Sequence, residues 1–208
     1  MGPGRVVEEI IFWQDSYGVK NFAFYDDALL VNAQKHAIPM FKLIIKTGRE
    51  LNFHTPNAVH IREITPEVAE LMFSAGVKTL RLGLETLEFA EREIDRKVKE
   101  EEFIQAVSNL LTAGFKKEQV GAYLLAGLPG QSVDAVERSI SIVKQSGITP
   151  TLAYYTPIPH TEMWEAAVAA SRYDLASDPI FTNNAIMPCR QSDFEWDELA
   201  RLKKLVRS

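Results

Sequence analysis

Apolar residues in this 208-residue chain recur at two alternating spacings. A period of three to four, the mark of a helix buried on one face, runs through Arg5–Tyr17, with Val6, Val7, Ile10, Ile11 and Trp13 inward. It returns from an Asn32 cap to Gly48 (Ala37, Ile38, Phe41, Ile44, Ile45) and from the Thr65-Pro66 start to Gly76 (Val68, Leu71, Met72). Further helices are predicted over Glu100–Ala113, Ser132–Ser146, Thr161 to Ser171 and Phe194–Arg207. Between them lie short runs rich in β-branched, aromatic and leucine residues: Asn21–Tyr25, Leu51–Thr55, Val77–Leu84, Gly121–Ala126 and Thr151–Tyr155. These read as strands. Glu88–Lys99 reads as a solvated helix or loop, and Tyr173–Ser192 has little periodicity.

The order is therefore one helix, five strand–helix units and a tail. Strands joined by helices are parallel, with right-handed crossovers, so the expected fold class is α/β, either barrel-like or doubly wound. The continuous apolar run Gly121–Ala126 predicts a strand covered on both faces. Folds of this kind usually open on a strand. The helix at Arg5 therefore suggests a first strand upstream.

Composition narrows the function classes. The net charge of −5 and a pI near 5.5 leave no dedicated nucleic-acid surface. No apolar run approaches the roughly 18 residues of a membrane span, and charges run through the first helix where a signal peptide would be apolar. Cys189 is the only cysteine, so the chain can form no internal disulfide and no cysteine-based cluster site of its own. The default location is cytoplasmic.

Chemistry-bearing residues collect just after the strands: Asp26 and Asp27, Asn57, Glu85, the Gly127–Gly130 turn, and Pro157–His160. In a parallel α/β fold these points share the carboxyl-end rim, where ligands bind. Singly, each has a plain structural use: an Asx turn for either aspartate, a turn position for Asn57, and a cap or an Arg81 partner for Glu85. Together they favour a small-molecule site. His36, His54, His60 and His160 are too scattered to argue a metal site by spacing, and Trp13, Trp164 and Trp196 sit at helical packing positions.

Several words in order, FYDDALL (Phe24–Leu30), FHTPNAVHI (Phe53–Ile61), LRLGLET (Leu80–Thr86), then Lys97, GAYLLAGLPGQS (Gly121–Ser132) and YTPIPHTEMW (Tyr155–Trp164), resemble the radical S-adenosylmethionine (SAM) superfamily. The likeness is to the Elp3/MiaB/NifB-like core also seen in cobalamin-associated members, and it covers about Val6–Trp164. The resemblance implies a partial (β/α) TIM-like barrel with its first strand missing, over residues 1–172, followed by an extension over 173–208 whose amphipathic helix packs on the core. It implies Asp26 and Asp27 at the SAM amino group, Asn57 at the ribose or carboxylate, and Glu85 where the family has Glu or Gln-Ser. It implies backbone contacts to adenine from Leu125, Gly127 and Leu128, with a last-strand contact from Tyr155 to Ile158. The family's CxxxCxxC loop, which binds a [4Fe–4S] cluster, has no counterpart here. The expectation is therefore a C-terminal part of a radical SAM enzyme. The parent would cleave SAM to a 5′-deoxyadenosyl radical, and this part alone would be inactive. Whether a cobalamin domain accompanies the parent stays open, as does the substrate. A missing first strand would leave a sheet edge open to dimerisation. Two alternatives stand beside this: a self-sufficient metal-dependent lyase or hydrolase using Asp26, Asp27 and Glu85, and a non-catalytic scaffold.

Overall fold

Local signals set most element boundaries in the computed structural model, which describes residues 1–85, 98–190 and 194–207. Helix α1 (Pro3–Tyr17) opens on a proline, whose missing N–H costs nothing in the first turn, and closes on Gly18. Strand β1 (Asn21–Ala23) leads to α2 (Ala37–Lys46) and β2 (Asn52–His54). In α3 (Pro66–Ser74) the Thr65 hydroxyl accepts the Val68 N–H at 3.3 Å. Then follow β3 (Val77–Glu85), α4 (Glu100–Ala113), β4 (Val120–Ala126) and α5 (Val133–Gln145), the last capped by Ser132 accepting from the Ala135 N–H at 3.2 Å. Strand β5 (Thr149–Tyr154), α6 (Trp164–Ala170) and α7 (Trp196–Arg207) complete the order. Between α3 and β3, Gly76 has φ +94, and a Cβ there would lie 2.3 Å from the Leu51 carbonyl oxygen. Only glycine fits that junction.

Two predicted helix caps, Asn32 and Thr161, go unused. Residues 27–36 form successive turns, with Asn32 at φ 53, and α2 begins only at Ala37. A helix from Asn32 would bury Pro39 in its interior, where the ring clashes with the carbonyl four residues back; starting at Ala37 keeps it in the first turn. Helix α6 begins at Trp164 because the Thr161 hydroxyl donates to the Ile158 carbonyl at 2.7 Å and so does not cap. Lys97 and most of the charged Glu88–Lys99 stretch lie outside the described residues.

All five strands are parallel and pair in chain order, β1-β2-β3-β4-β5. A doubly wound sheet reverses its order at a switch point. This one never does, so it winds one way, as a barrel does, and keeps its crossover helices on one face. That outer face is the core: Phe53, Leu80, Leu82, Leu84, Ala122, Leu124 and Ala126 are buried there beneath residues such as Phe41, Met72, Phe103 and Ile140. Helix α7 extends this layer. Phe194, Leu199 and Leu202 join the same core, Arg201 pairs with Glu137 at 2.7 Å, and Lys203 lies over the Tyr154 ring.

The inner face differs from the expectation for Gly121–Ala126. Tyr123 and Leu125 are only half-buried, as are His54, Thr79, Arg81, Gly83, Thr149, Thr151 and Ala153, which share that face. The reason is closure. Five strands make an open arc, and β1 has a free edge among the described residues, so the concave side is not filled as a closed barrel would be. Among the described residues no helix is long and apolar enough to cross a membrane.

Candidate functional site

The carboxyl ends of the strands gather the predicted residues into two groups. The first spans β1 to β3. Asp26 turns back on itself, its Oδ1 accepting the Ala28 N–H at 2.8 Å, which is an Asx turn. Asp27 reaches across instead, and its Oδ1 accepts from Asn57 Nδ2 at 2.6 Å. The chain then runs from Asn57 to Val59, whose N–H donates to the Arg81 carbonyl at 2.8 Å and whose carbonyl accepts the Gly83 N–H at 3.3 Å. Tyr123 Oη donates to the Pro56 carbonyl at 3.0 Å and ties β4 to the same loop. Three strand ends are thereby held in register around Asp27 and Asn57.

Glu85 ends β3 at φ +64, beyond a register shift between Gly83 and Glu85. A left-handed conformation at a non-glycine residue costs on the order of 1–3 kcal/mol and concentrates at functional sites. Each fully buried leucine of the outer face contributes roughly 1.5–3 kcal/mol. Leu82 and Leu84, both at 0 % exposure, therefore suffice to hold the strained end in place. Glu85 does not pair with Arg81, which has no carboxylate partner among the described residues.

The second group spans β4 and β5. Gly127, at φ +86, and Leu128 open the turn, but their amides do not face outward. Gln131 Oε1 accepts both N–H groups, at 2.8 and 3.3 Å, while its Nε2 donates to the Leu125 carbonyl at 3.0 Å. Three of the backbone groups expected to meet a ligand are thus engaged by one side chain of the same turn. Residues from the C-terminal stretch cover the rest. Leu128 packs with Tyr155, Leu175, Phe181 and Cys189 in a satellite cluster, and a Cβ on Gly127 would meet Met187 at 3.0 Å. Ile158 stands apart, 57 % exposed.

Inside that cluster the Tyr155 hydroxyl is buried and makes no hydrogen bond among the described residues. Burial, with a smaller contribution from Cys189, raises its pKa above the usual tyrosine value. Cys189 is fully buried, with its thiol against the Ala167 carbonyl at 3.5 Å, and burial pushes it up to about 11. It is an inert structural thiol.

Sequence reasoning missed Gln131 as the lock of its turn and missed the inner face altogether. There His54 Nδ1 meets Thr79 Oγ1 at 2.9 Å and His54 Nε2 meets Asn21 Oδ1 at 3.4 Å. The signal was present in the alternation of Val77–Leu84, which sets Thr79, Arg81 and Gly83 on one side.

The family model of the radical SAM superfamily matches residues 2–170. The chain belongs to this superfamily. Among curated relatives, the radical SAM chain is 28% identical over 171 residues to an uncharacterized methyltransferase of Pyrococcus horikoshii, an alignment covering 79% of this chain and 35% of the relative. It is 22% identical over 151 residues to cytidylyl-2-hydroxyethylphosphonate methyltransferase of Streptomyces wedmorensis, covering 69% and 27%. The chain thus spans about a third or less of the length of these relatives. In fold it is similar to the radical SAM methyltransferase TsrM of Kitasatospora setae, solved with its tryptophan substrate and a SAM analogue. That likeness has a TM-score of 0.66 and 14% identity, covering 82% of this chain and 34% of that one.

Two cofactors of the superfamily can be tested against these residues. SAM carries an ammonium and ribose hydroxyls, which suit acceptors, and an adenine, which suits an apolar surface with backbone or hydroxyl partners. Asp27, Asn57 and Glu85 supply the first, and the exposed Ile158 side chain beyond β5 supplies apolar surface of the second kind. SAM therefore fits the rim. A [4Fe–4S] cluster does not fit this chain's own residues, because the one thiol is buried and protonated. The metal-enzyme alternative is not favoured. Among the described residues no three His, Cys, Asp or Glu side chains come together as a metal site, so Asp26, Asp27 and Glu85 do not form one.

Proposed function

We propose that this radical SAM chain is the SAM-binding rim and part of the substrate face of a radical SAM methyltransferase core. The cluster it works with is held by cysteines that the chain does not itself carry. The observation that carries this reading is the Asp27–Asn57 bridge across the ends of β1 and β2, set beside the strained Glu85 at the end of β3. Carboxylate and amide acceptors held at fixed spacing on three adjacent strand ends match the ammonium-to-ribose half of SAM. Methyl transfer is favoured because both curated relatives and the TsrM structure are named methyltransferases.

In this reading Asp27 binds the SAM ammonium, and Asn57 orients it through the shared hydrogen bond. Glu85 accepts from a ribose hydroxyl. Adenine lies toward the end of β5, against Ile158 and the main chain from Tyr155 onward. Leu125, Gly127 and Leu128 shape that end of the slot, and Gln131 keeps their backbone rigid. Asp26 holds the loop that presents Asp27. Cobalamin enters the reading only by analogy with TsrM, solved with cobalamin and a [4Fe–4S] cluster bound. The free edge of β1 is the place for a further strand or a second copy to pair. A buried, unpaired thiol suits a reducing compartment, and we place the protein in the cytoplasm.

The test is saturation-transfer NMR of SAM with the 208-residue chain. Ribose and adenine signals are expected to saturate, and Asp27→Ala and Glu85→Gln are expected to weaken the ribose signals without loss of folding. Absence of saturable transfer, or signals equal in wild type and both variants, overturns the reading.

A further inference from the structure

Arg81 sits midway along the central strand β3, half-buried on the inner face. Its guanidinium offers five donors. The structure shows one hydrogen bond from it, Nη1 to the carbonyl of the adjacent Leu80 at 2.9 Å. No carboxylate lies within ion-pair distance among the described residues. A partly desolvated charge of this kind costs stability unless something pairs with it.

Space has been made for it. Arg81 is in register with Gly121 of β4. A Cβ on Gly121 would lie 3.1 Å from Arg81 Cδ and 3.2 Å from both Nε and Nη1. The arginine therefore lies across the β4 backbone, over the one residue with no side chain to displace it. Two residues back on the same face, roughly 7 Å away, Thr79 is hydrogen-bonded to His54. Toward the rim stands Tyr123. Ahead of the register shift at the end of β3, the described strand residues of this face include no acid. The neighbourhood is therefore cationic and rich in hydrogen-bonding groups, with its open side toward the concave space below the SAM rim.

We infer that Arg81, seated over Gly121 on the inner sheet face, forms an oxyanion subsite that takes a carboxylate or phosphonate-type group of the substrate. Assigning the oxyanion to a substrate rests on the radical SAM reading; the subsite itself rests on Arg81 and its surroundings. A guanidinium fork binds either group through two parallel hydrogen bonds.

The experiment follows the Arg81 Nε–Hε resonance of the 208-residue chain during titration with methylphosphonate and, separately, with acetate. A saturable shift is expected with at least one of them. Response to methylphosphonate alone points to a phosphonate or phosphate substrate, and response to acetate alone to a carboxylate. Backbone amides of Thr79 and Tyr123 are expected to shift in parallel, and in Arg81→Met that response disappears. Gly121→Ala, which displaces the guanidinium while leaving its charge, is expected to weaken binding about tenfold. Arg81→Met folds normally, because it removes an unpaired charge. No shift with either anion, or equal amide shifts in Arg81→Met, overturns the subsite. SAM binding measured on the same sample separates the two readings. SAM without anion binding leaves the function standing and removes the subsite; anion without SAM binding does the reverse.

Discussion

Replacing Tyr155 by Phe removes one atom that the fold buries without a partner. The residue is 9 % exposed, and its hydroxyl is sealed within the cluster of Ala167, Leu175 and Cys189. A buried polar group left without a hydrogen bond costs about 1–3 kcal/mol, while the ring retains its packing in the variant. Tyr155→Phe is therefore expected to stabilise the ligand-free protein by about 1 kcal/mol, the low end of that range because the neighbouring thiol softens the penalty. In a domain of this size that raises Tm by roughly 2–4 °C. Urea denaturation should show a higher midpoint with an unchanged slope, which separates a stability gain from a change in the unfolded state. The same variant should leave the SAM saturation-transfer signals unchanged, because the hydroxyl is sealed inside the fold and does not reach the rim surface. A variant less stable than wild type by about 1 kcal/mol or more would show that the hydroxyl already has a partner, and the argument would fail.

Two other outcomes are accessible to the same equipment. Gln131→Ala removes three hydrogen bonds from the β4 turn. At about 0.5–1.5 kcal/mol each, reduced because water reaches a half-buried turn, the urea-derived loss should be about 1–3 kcal/mol. An unchanged midpoint would refute its role as the lock. Cys189 gives a pH signature, because burial raises its thiol from 9.0 to about 11. The folded state then holds the proton more tightly than the unfolded state, so the thiol's contribution is complete below pH 9 and lost as pH rises to about 11. Stability measured across that window should fall less steeply in Cys189→Ala than in wild type, and parallel slopes would refute the assignment.

The alternation of helical and strand periods in this chain was sufficient to determine an α/β fold with five parallel strands. Pattern period depends only on neighbouring residues, and capping residues such as Thr65 and Ser132 act within one turn. The glycines before the strands and the polar residues after them were legible for the same reason, and so was the rim they mark. Pairing order was not. A barrel-like and a doubly wound sheet share one local pattern, and only the unreversed order β1 to β5 separates them. The openness of the inner face was also a tertiary matter. Gly121–Ala126 reads as buried on both sides, but five strands do not close, and Tyr123 and Leu125 remain half-exposed. Whether a rim group is available to a ligand depends on what folds over it. Gln131, four residues beyond Gly127, takes the turn's amides, and the weakly periodic C-terminal stretch lays Met187 and Cys189 over it. The bond between Asp27 and Asn57 spans 30 residues, and the fit of Arg81 over Gly121 spans two strands. Contacts of that range leave no periodic trace in sequence, because nothing nearer than the folded sheet brings the partners together.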